Sequence, residues 1–124
     1  MPDKPMILIV DDEPAIRSLA AKVLTGAGYE VREFASGREA VDFFREHKEQ
    51  VALALIDMVM PDLTGPKTLE RMREWDANVR AVAISGFLGS IDRQQIERDF
   101  LEFLPKPFAI QSLLDVVARH APGT

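Results

Sequence analysis

Short, wholly apolar runs that stop abruptly at acid constrain this chain most. Met6–Val10 (MILIV) ends in Asp11, Asp12 and Glu13, and Val51–Ile56 ends in Asp57, with Pro61 and Gly65 close behind. Apolar runs of this length read as strands buried on both faces, and turn residues mark where they end. Such strands need helices on both sides, which restricts the chain to strands and helices alternating around a parallel sheet. A carboxylate closing a buried strand is costly to desolvate unless something pairs with it or reacts with it.

The segments between supply the cover. Pro14 suits a first helical turn, and Ile16, Leu19, Ala20, Val23 and Leu24 recur at helical spacing before Gly26 and Gly28 act as C-cap and turn. Those glycines are not a dinucleotide fingerprint, because no third glycine follows at the required spacing. Tyr29–Phe34 alternates apolar and polar, as a half-exposed edge strand does. Ser36 with Glu39 is a capping box, opening a helix with Ala40, Val41 and Phe44 inward. Gly65 and Pro66 start another, with Leu69 and Met72 inward and Trp75 at the core edge. Val79–Ile84 reads as a strand broken by Ser85 and Gly86. Asp92 with Gln95 is a second capping box, with Ile96 and Phe100 facing inward and Leu101–Leu104 a short strand. Ile110, Leu113, Leu114 and Val117 stripe the last helix. Five strands alternating with five helices imply an α/β doubly wound parallel sheet in the flavodoxin-like order 2-1-3-4-5. Residues 1–124 are expected to form one domain.

Composition narrows the functions. With 124 residues, 47% hydrophobic content and a net charge of −5, the chain fits one ordinary core and has no global basic field to hold nucleic acid. The absence of cysteine excludes a disulfide framework and a thiolate metal site. His47 and His120 lack metal-ligand spacing and read as surface residues near helix C-termini. No segment has the apolar core of a signal peptide or the length of a membrane span, so a soluble, cytoplasmic protein is expected.

In an open parallel sheet, ligands bind outside the carboxyl ends of the strands, where strand order reverses. Asp11 and Asp12 follow the first strand, Asp57 the third, Ser85 the fourth and Lys106 the fifth, so five polar residues meet at one sheet edge. Two unit charges about 5 Å apart at an effective dielectric near 20 repel by roughly 3 kcal/mol. Three clustered carboxylates therefore need a cation or a proton. Oxygen ligands with room for water and phosphate suit Mg²⁺, and a carboxylate nucleophile beside a metal and fixed donors suits phosphoryl transfer.

The pieces ILIVDDEP (Ile7–Pro14), LIDMVMPDLTG (Leu55–Gly65), AISG (Ala83–Gly86) and FLPKPF (Phe103–Phe108), in this order and spacing, resemble a response-regulator receiver domain across essentially the whole chain. The resemblance implies that Asp57 accepts a phosphoryl group from a phosphohistidine on a sensor histidine kinase or histidine phosphotransfer protein. It implies that Asp12, Asp57 and the backbone carbonyl of Val59 hold Mg²⁺ (or Mn²⁺) directly, with Asp11 acting through a metal-bound water. Lys106 is implied to pair with the carboxylate and then with the phosphoryl group, and the Lys106–Pro107 bond to be cis. Ser85 and Phe103 are implied to be the switch residues, altering a face made by the fourth helix, fifth strand and fifth helix, where an output partner docks. A domain of this kind catalyses its own phosphorylation and dephosphorylation without turning over a small molecule. Asp99 and Phe100 stand where relatives often have Gly-Ala, which implies a differently shaped loop before the fifth strand. Ser85-Gly86 replaces the common Thr-Ala and keeps the hydroxyl and the small neighbour.

Two rival functions fit the residues less well. A Mg²⁺-dependent phosphatase with an aspartyl nucleophile needs a second Asp two residues on, where this chain has Val59. A receiver acting as a scaffold without phosphorylation has no need of the five polar residues. Val59 lies two residues after Asp57 and Phe87 two after Ser85, where apolar side chains exclude an attacking water rather than orient it. A comparatively long-lived phosphoryl group follows. Val59→Asn combined with Phe87→Glu is expected to speed its loss in a decay assay, and unchanged decay would refute the idea.

Overall fold

The computed structural model describes residues 4–86 and 93–121. Strands β1 (Met6–Val10), β2 (Glu30–Phe34), β3 (Val51–Asp57), β4 (Ala81–Ser85) and β5 (Phe103–Pro105) alternate with helices α1 (Pro14–Gly26), α2 (Gly37–His47), α3 (Gly65–Arg73), α4 (Arg93–Asp99) and α5 (Ile110–His120). The sheet is parallel throughout, in the order β2-β1-β3-β4-β5. This is the doubly wound arrangement and strand order anticipated from the apolar runs.

Side chains alternate across a strand, so each central strand feeds two cores. Leu8, Val10, Ala54 and Ile56 pack with Ala40 and Phe44 of α2, Leu69 and Met72 of α3, and Ile96 of α4. Ile7, Ile9, Leu53, Leu55, Val82 and Ile84 pack with Ala20 and Leu24 of α1 and with Leu113, Val116 and Val117 of α5. β2 is half-exposed, as an edge strand is, but not by strict alternation: the neighbours Arg32 and Glu33 are both exposed, while Val31 and Phe34 are half-buried.

The ladder between β1 and β3 is irregular at its start. Met6 pairs with Val51 but Ile7 pairs with Leu53, so Ala52 is an extra residue, and the register then runs unbroken to Val10 opposite Ile56.

Caps set the helix boundaries. Ser36 Oγ accepts from the Glu39 N–H at 3.2 Å, and Thr64 Oγ1 accepts from the Lys67 N–H at 3.3 Å ahead of Pro66 in the first turn. The Thr64 cap was not anticipated. Gly28 has φ of 101°, a conformation that suits glycine in the turn leaving α1. The Asp92–Gln95 capping box falls outside the described residues.

Several apolar residues lie further out than their spacing suggested. Leu19, Trp75, Leu101 and Ile110 are 41, 46, 44 and 52% exposed. The buried line of α1 runs through Ala20 and Leu24, and Leu19 sits about 100° round the helix from Ala20. Trp75 lies beyond the end of α3, with the Arg45 guanidinium 5.6 Å from its ring centre. In α5 the buried line comprises Leu113, Val116 and Val117, leaving Ile110 in the first turn outside it. Two strands shift as well. The fourth begins at Ala81 rather than Val79, which closes a turn onto the Asp76 carbonyl, and the fifth begins at Phe103 rather than Leu101.

At the amino end of β5, Glu102 accepts two bonds from Arg119, at 2.7 and 3.2 Å, and lies 2.7 Å from His120 Nε2. Arg80 Nε donates to the His120 carbonyl at 2.8 Å, so the last turn of α5 is fastened from two sides. The Arg119 hydrogen bonds hold the Glu102 carboxyl below its ordinary value, aided by His120 against the opposing effect of burial. A carboxyl depressed on folding contributes stability that is present above its unfolded pKa and lost as pH falls through the lowered one. Glu102→Gln is therefore expected to lower the urea midpoint at pH 7, with the gap to wild type closing as paired denaturation curves are taken below pH 4.5.

Candidate functional site

The carboxyl ends of β1, β3, β4 and β5 carry the polar residues singled out from the sequence. Asp11 continues the path of β1, its N–H donating to the Phe34 carbonyl at 3.0 Å, and it is fully buried. Its Oδ1 accepts the Glu13 N–H at 2.9 Å, and its carbonyl accepts from Arg17 Nη1 at 2.7 Å. Asp12 is exposed. Asp57, the last residue of β3, is 4% exposed, and its Oδ1 accepts the Val59 N–H at 3.3 Å. Ser85 ends β4 and is buried, and its carbonyl accepts the Lys106 N–H at 2.9 Å. Lys106 follows β5 and enters the cis bond to Pro107.

The Lys106 ammonium gathers three acids. Nζ lies 2.7 Å from Asp11 Oδ2, 2.8 Å from Glu13 Oε1 and 3.3 Å from Asp57 Oδ2. Glu13 was not among the residues expected here. Its one signal in the sequence is its place as the third acid in a row, immediately before Pro14.

Burial, then the charge of Asp11, pushes the Asp57 carboxyl up to about 6, partly offset by the Val59 N–H and by Lys106. Burial acts to discharge Lys106, but its close contacts with Asp11 and Glu13 and the Asp57 charge outweigh that and raise it above its ordinary value. The lysine therefore remains an ammonium at neutral pH.

Carboxylate oxygens of Asp11, Asp12 and Asp57 lie within 4.8 Å of one another. Asp11 Oδ2 is buried and, despite the nearby ammonium, makes no hydrogen bond of acceptable angle. An all-oxygen donor set, one of whose buried oxygens is held by an ion pair and by no hydrogen bond, fits a hard divalent cation. The residues present fit Mg²⁺.

The loop that follows Asp57 is pinned from both sides. Asp62 Oδ1 and Oδ2 accept the Gly37 and Arg38 N–H groups at 3.2 and 2.9 Å, capping α2 from a distance in sequence. Met58 N–H donates to the Ile84 carbonyl at 2.9 Å and Gly65 N–H to the Met58 carbonyl at 3.1 Å. Met58 and Met60 are buried while Val59, between them, is 58% exposed beside Asp57. Phe103 is half-buried against the core that holds Ile96 and Phe100. At Gly86 an added Cβ would sit 3.5 Å from Lys106 Cβ, an ordinary contact, so the site has room for an alanine. Phe87 lies outside the described residues.

The model of the response regulator receiver domain family matches residues 7–118. Sporulation initiation phosphotransferase F of Bacillus subtilis is 35% identical over 118 residues, covering 94% of this chain and 93% of that protein. Sensor kinase CckA of Brucella abortus is 33% identical over 112 residues, 90% of this chain, which spans only 12% of that kinase's length. The crystal structure of a response regulator receiver domain protein from Clostridium thermocellum superposes with a TM-score of 0.86 at 25% identity, covering 94% of each chain. The chain belongs to the response regulator receiver domain family. It is a receiver domain of the two-component signalling type.

Gly65 tests how tightly the site loop is built. A Cβ there would lie 2.7 Å from the Asp57 carbonyl oxygen and 2.8 Å from Met58 Cα, backbone atoms that cannot swing away. Gly65→Ala is expected to cost about 1–3 kcal/mol in a denaturation curve and to shift the NMR signals of Asp57 and Met58.

Proposed function

We propose that Asp57 is the phosphoacceptor. The observation that carries this reading is its carboxylate, buried at the end of β3 with Asp11 and Asp12 on one side and the Lys106 ammonium 3.3 Å away on the other. Asp57 attacks the phosphorus of a phosphohistidine on a sensor histidine kinase or phosphotransfer protein. The O–P bond forms as the P–N bond breaks, and the imidazole leaves with a proton. Asp12, Asp57 and the Val59 carbonyl, with Asp11 through a water, would hold Mg²⁺ (or Mn²⁺), which would neutralise charge on the transferring oxygens. Lys106 offers a second positive charge to those oxygens, and the Ser85 hydroxyl a donor.

Ser85 and Phe103 then carry the signal. The hydroxyl turns toward the phosphoryl oxygen, the half-buried Phe103 ring moves inward behind it, and the α4-β5-α5 face changes for an output partner. Residues 1–124 work as one domain in the cytoplasm, without binding nucleic acid themselves. Among the described residues no helix is long and apolar enough to cross a membrane.

Incubation with acetyl phosphate and Mg²⁺, read by intact mass, is expected to give one phosphoryl adduct in the wild type and none in Asp57→Asn. A wild type that stays unmodified with every donor would overturn the reading in favour of a scaffold.

A further inference from the structure

Lys106 is tied most closely to two acids that do not accept the phosphoryl group. Its contacts with Asp11 and Glu13, at 2.7 and 2.8 Å, are shorter than the 3.3 Å contact with Asp57. An ammonium has three N–H donors, and three carboxylates now surround it. Glu13 differs from the other two. Its side chain is 58% exposed, and it is not one of the acids clustered closely enough to share a cation.

Local sequence puts Glu13 there. The residue before a proline is driven out of the helical region, and Glu13 ahead of Pro14 has φ −87° and ψ 111°. Its N–H is fixed on Asp11 Oδ1 at 2.9 Å. Arg17 Nη1, one turn into α1, holds the Asp11 carbonyl at 2.7 Å, so the helix start is fastened to the sheet edge.

Phosphorylation changes what Lys106 has to hold. Once Asp57 becomes an acyl phosphate, its bonded oxygen loses its charge and the new charge sits further out on the phosphoryl oxygens. The ammonium must turn toward them. Asp11 remains part of the acidic site throughout, whereas Glu13 is an acceptor that competes from outside it.

We infer that Glu13 is a positioning residue that restrains Lys106 and thereby slows phosphoryl gain at Asp57. This rests on the reading of Asp57 as phosphoacceptor. Because Glu13 is largely in water, the restraint is modest, and its removal should matter about two- to fivefold.

The test measures phosphorylation by subsaturating acetyl phosphate with Mg²⁺ in wild type, Glu13→Gln and Glu13→Asp, alongside the ¹⁵Nζ NMR signal of Lys106 in each. Glu13→Gln removes the charge and keeps the shape; Glu13→Asp keeps the charge and shortens the reach. Both variants are expected to gain the phosphoryl group about two- to fivefold faster, with a shifted Lys106 signal. An unchanged rate in Glu13→Gln overturns the inference. So does a wild-type rate in Glu13→Asp, which would make the effect one of charge on the incoming anion and not of contact with Lys106. An unmodified wild type would instead remove the reading of Asp57, while the Lys106 signal would still report whether Glu13 holds the ammonium.

Discussion

Two carboxylates, Asp11 and Asp57, are placed at the end of a parallel sheet with almost no access to water. Leaving them there uncompensated would cost more than a small domain can spare, since burying unpaired charge is among the largest penalties in folding. Lys106 is what makes the arrangement tenable, because its ammonium reaches both acids from the strand on the far side of β4. The compensation is incomplete. Asp57 is still pushed up to about 6, and Asp11 Oδ2 still lacks a hydrogen bond. A site left short of positive charge favours a divalent cation, and a raised carboxyl with specific charge partners is the kind of group that functional sites use.

The surrounding backbone fixes this cluster in place. The loop after β3 is joined to α2 through Asp62, to β4 through Met58, and to the start of α3 through Gly65. Further round, Arg73 near the end of α3 donates to the Asp99 carbonyl at 2.6 Å and pairs with its carboxylate at 3.5 Å, at the end of α4. Asp99 thus fastens α4 to α3, while Phe100 beside it fills the core against which Phe103 packs. The apolar side chain at Val59 remains open to water beside Asp57.

Much of this was legible in the chain because hydrophobic period and position coincide. The runs at β1 and β3 could only be buried on both faces, and that forced the sheet, its cover of helices and the edge at which Asp11, Asp57, Ser85 and Lys106 meet. Single-residue exposure was less legible. Leu19, Trp75 and Ile110 have the spacing of core residues, but how wide a stripe is buried depends on where neighbouring elements end. Glu13 was hidden for a different reason. Three consecutive acids look equivalent in a sequence, and only the extended backbone before Pro14 aims the third at the lysine. Asp62 as a cap for α2 was equally unreadable, since its partners lie 24 and 25 residues earlier.

The irregular start of the ladder between β1 and β3 has a consequence at the other end of the sheet. Were Met6 opposite Val51 followed by unbroken pairing, Val10 would meet Leu55 and Asp11 would leave the sheet beside Ile56. The extra residue, Ala52, moves β3 forward by one, so Val10 meets Ile56 and the two acids emerge side by side. One residue of slip also turns every side chain of a strand to the opposite face. The alignment of the acidic site is therefore set about five residues, roughly 17 Å, away from it. Were Ala52 to pair with Ile7 instead of standing extra, every acid would still be present in the sequence and Asp57 would be out of step with Asp11.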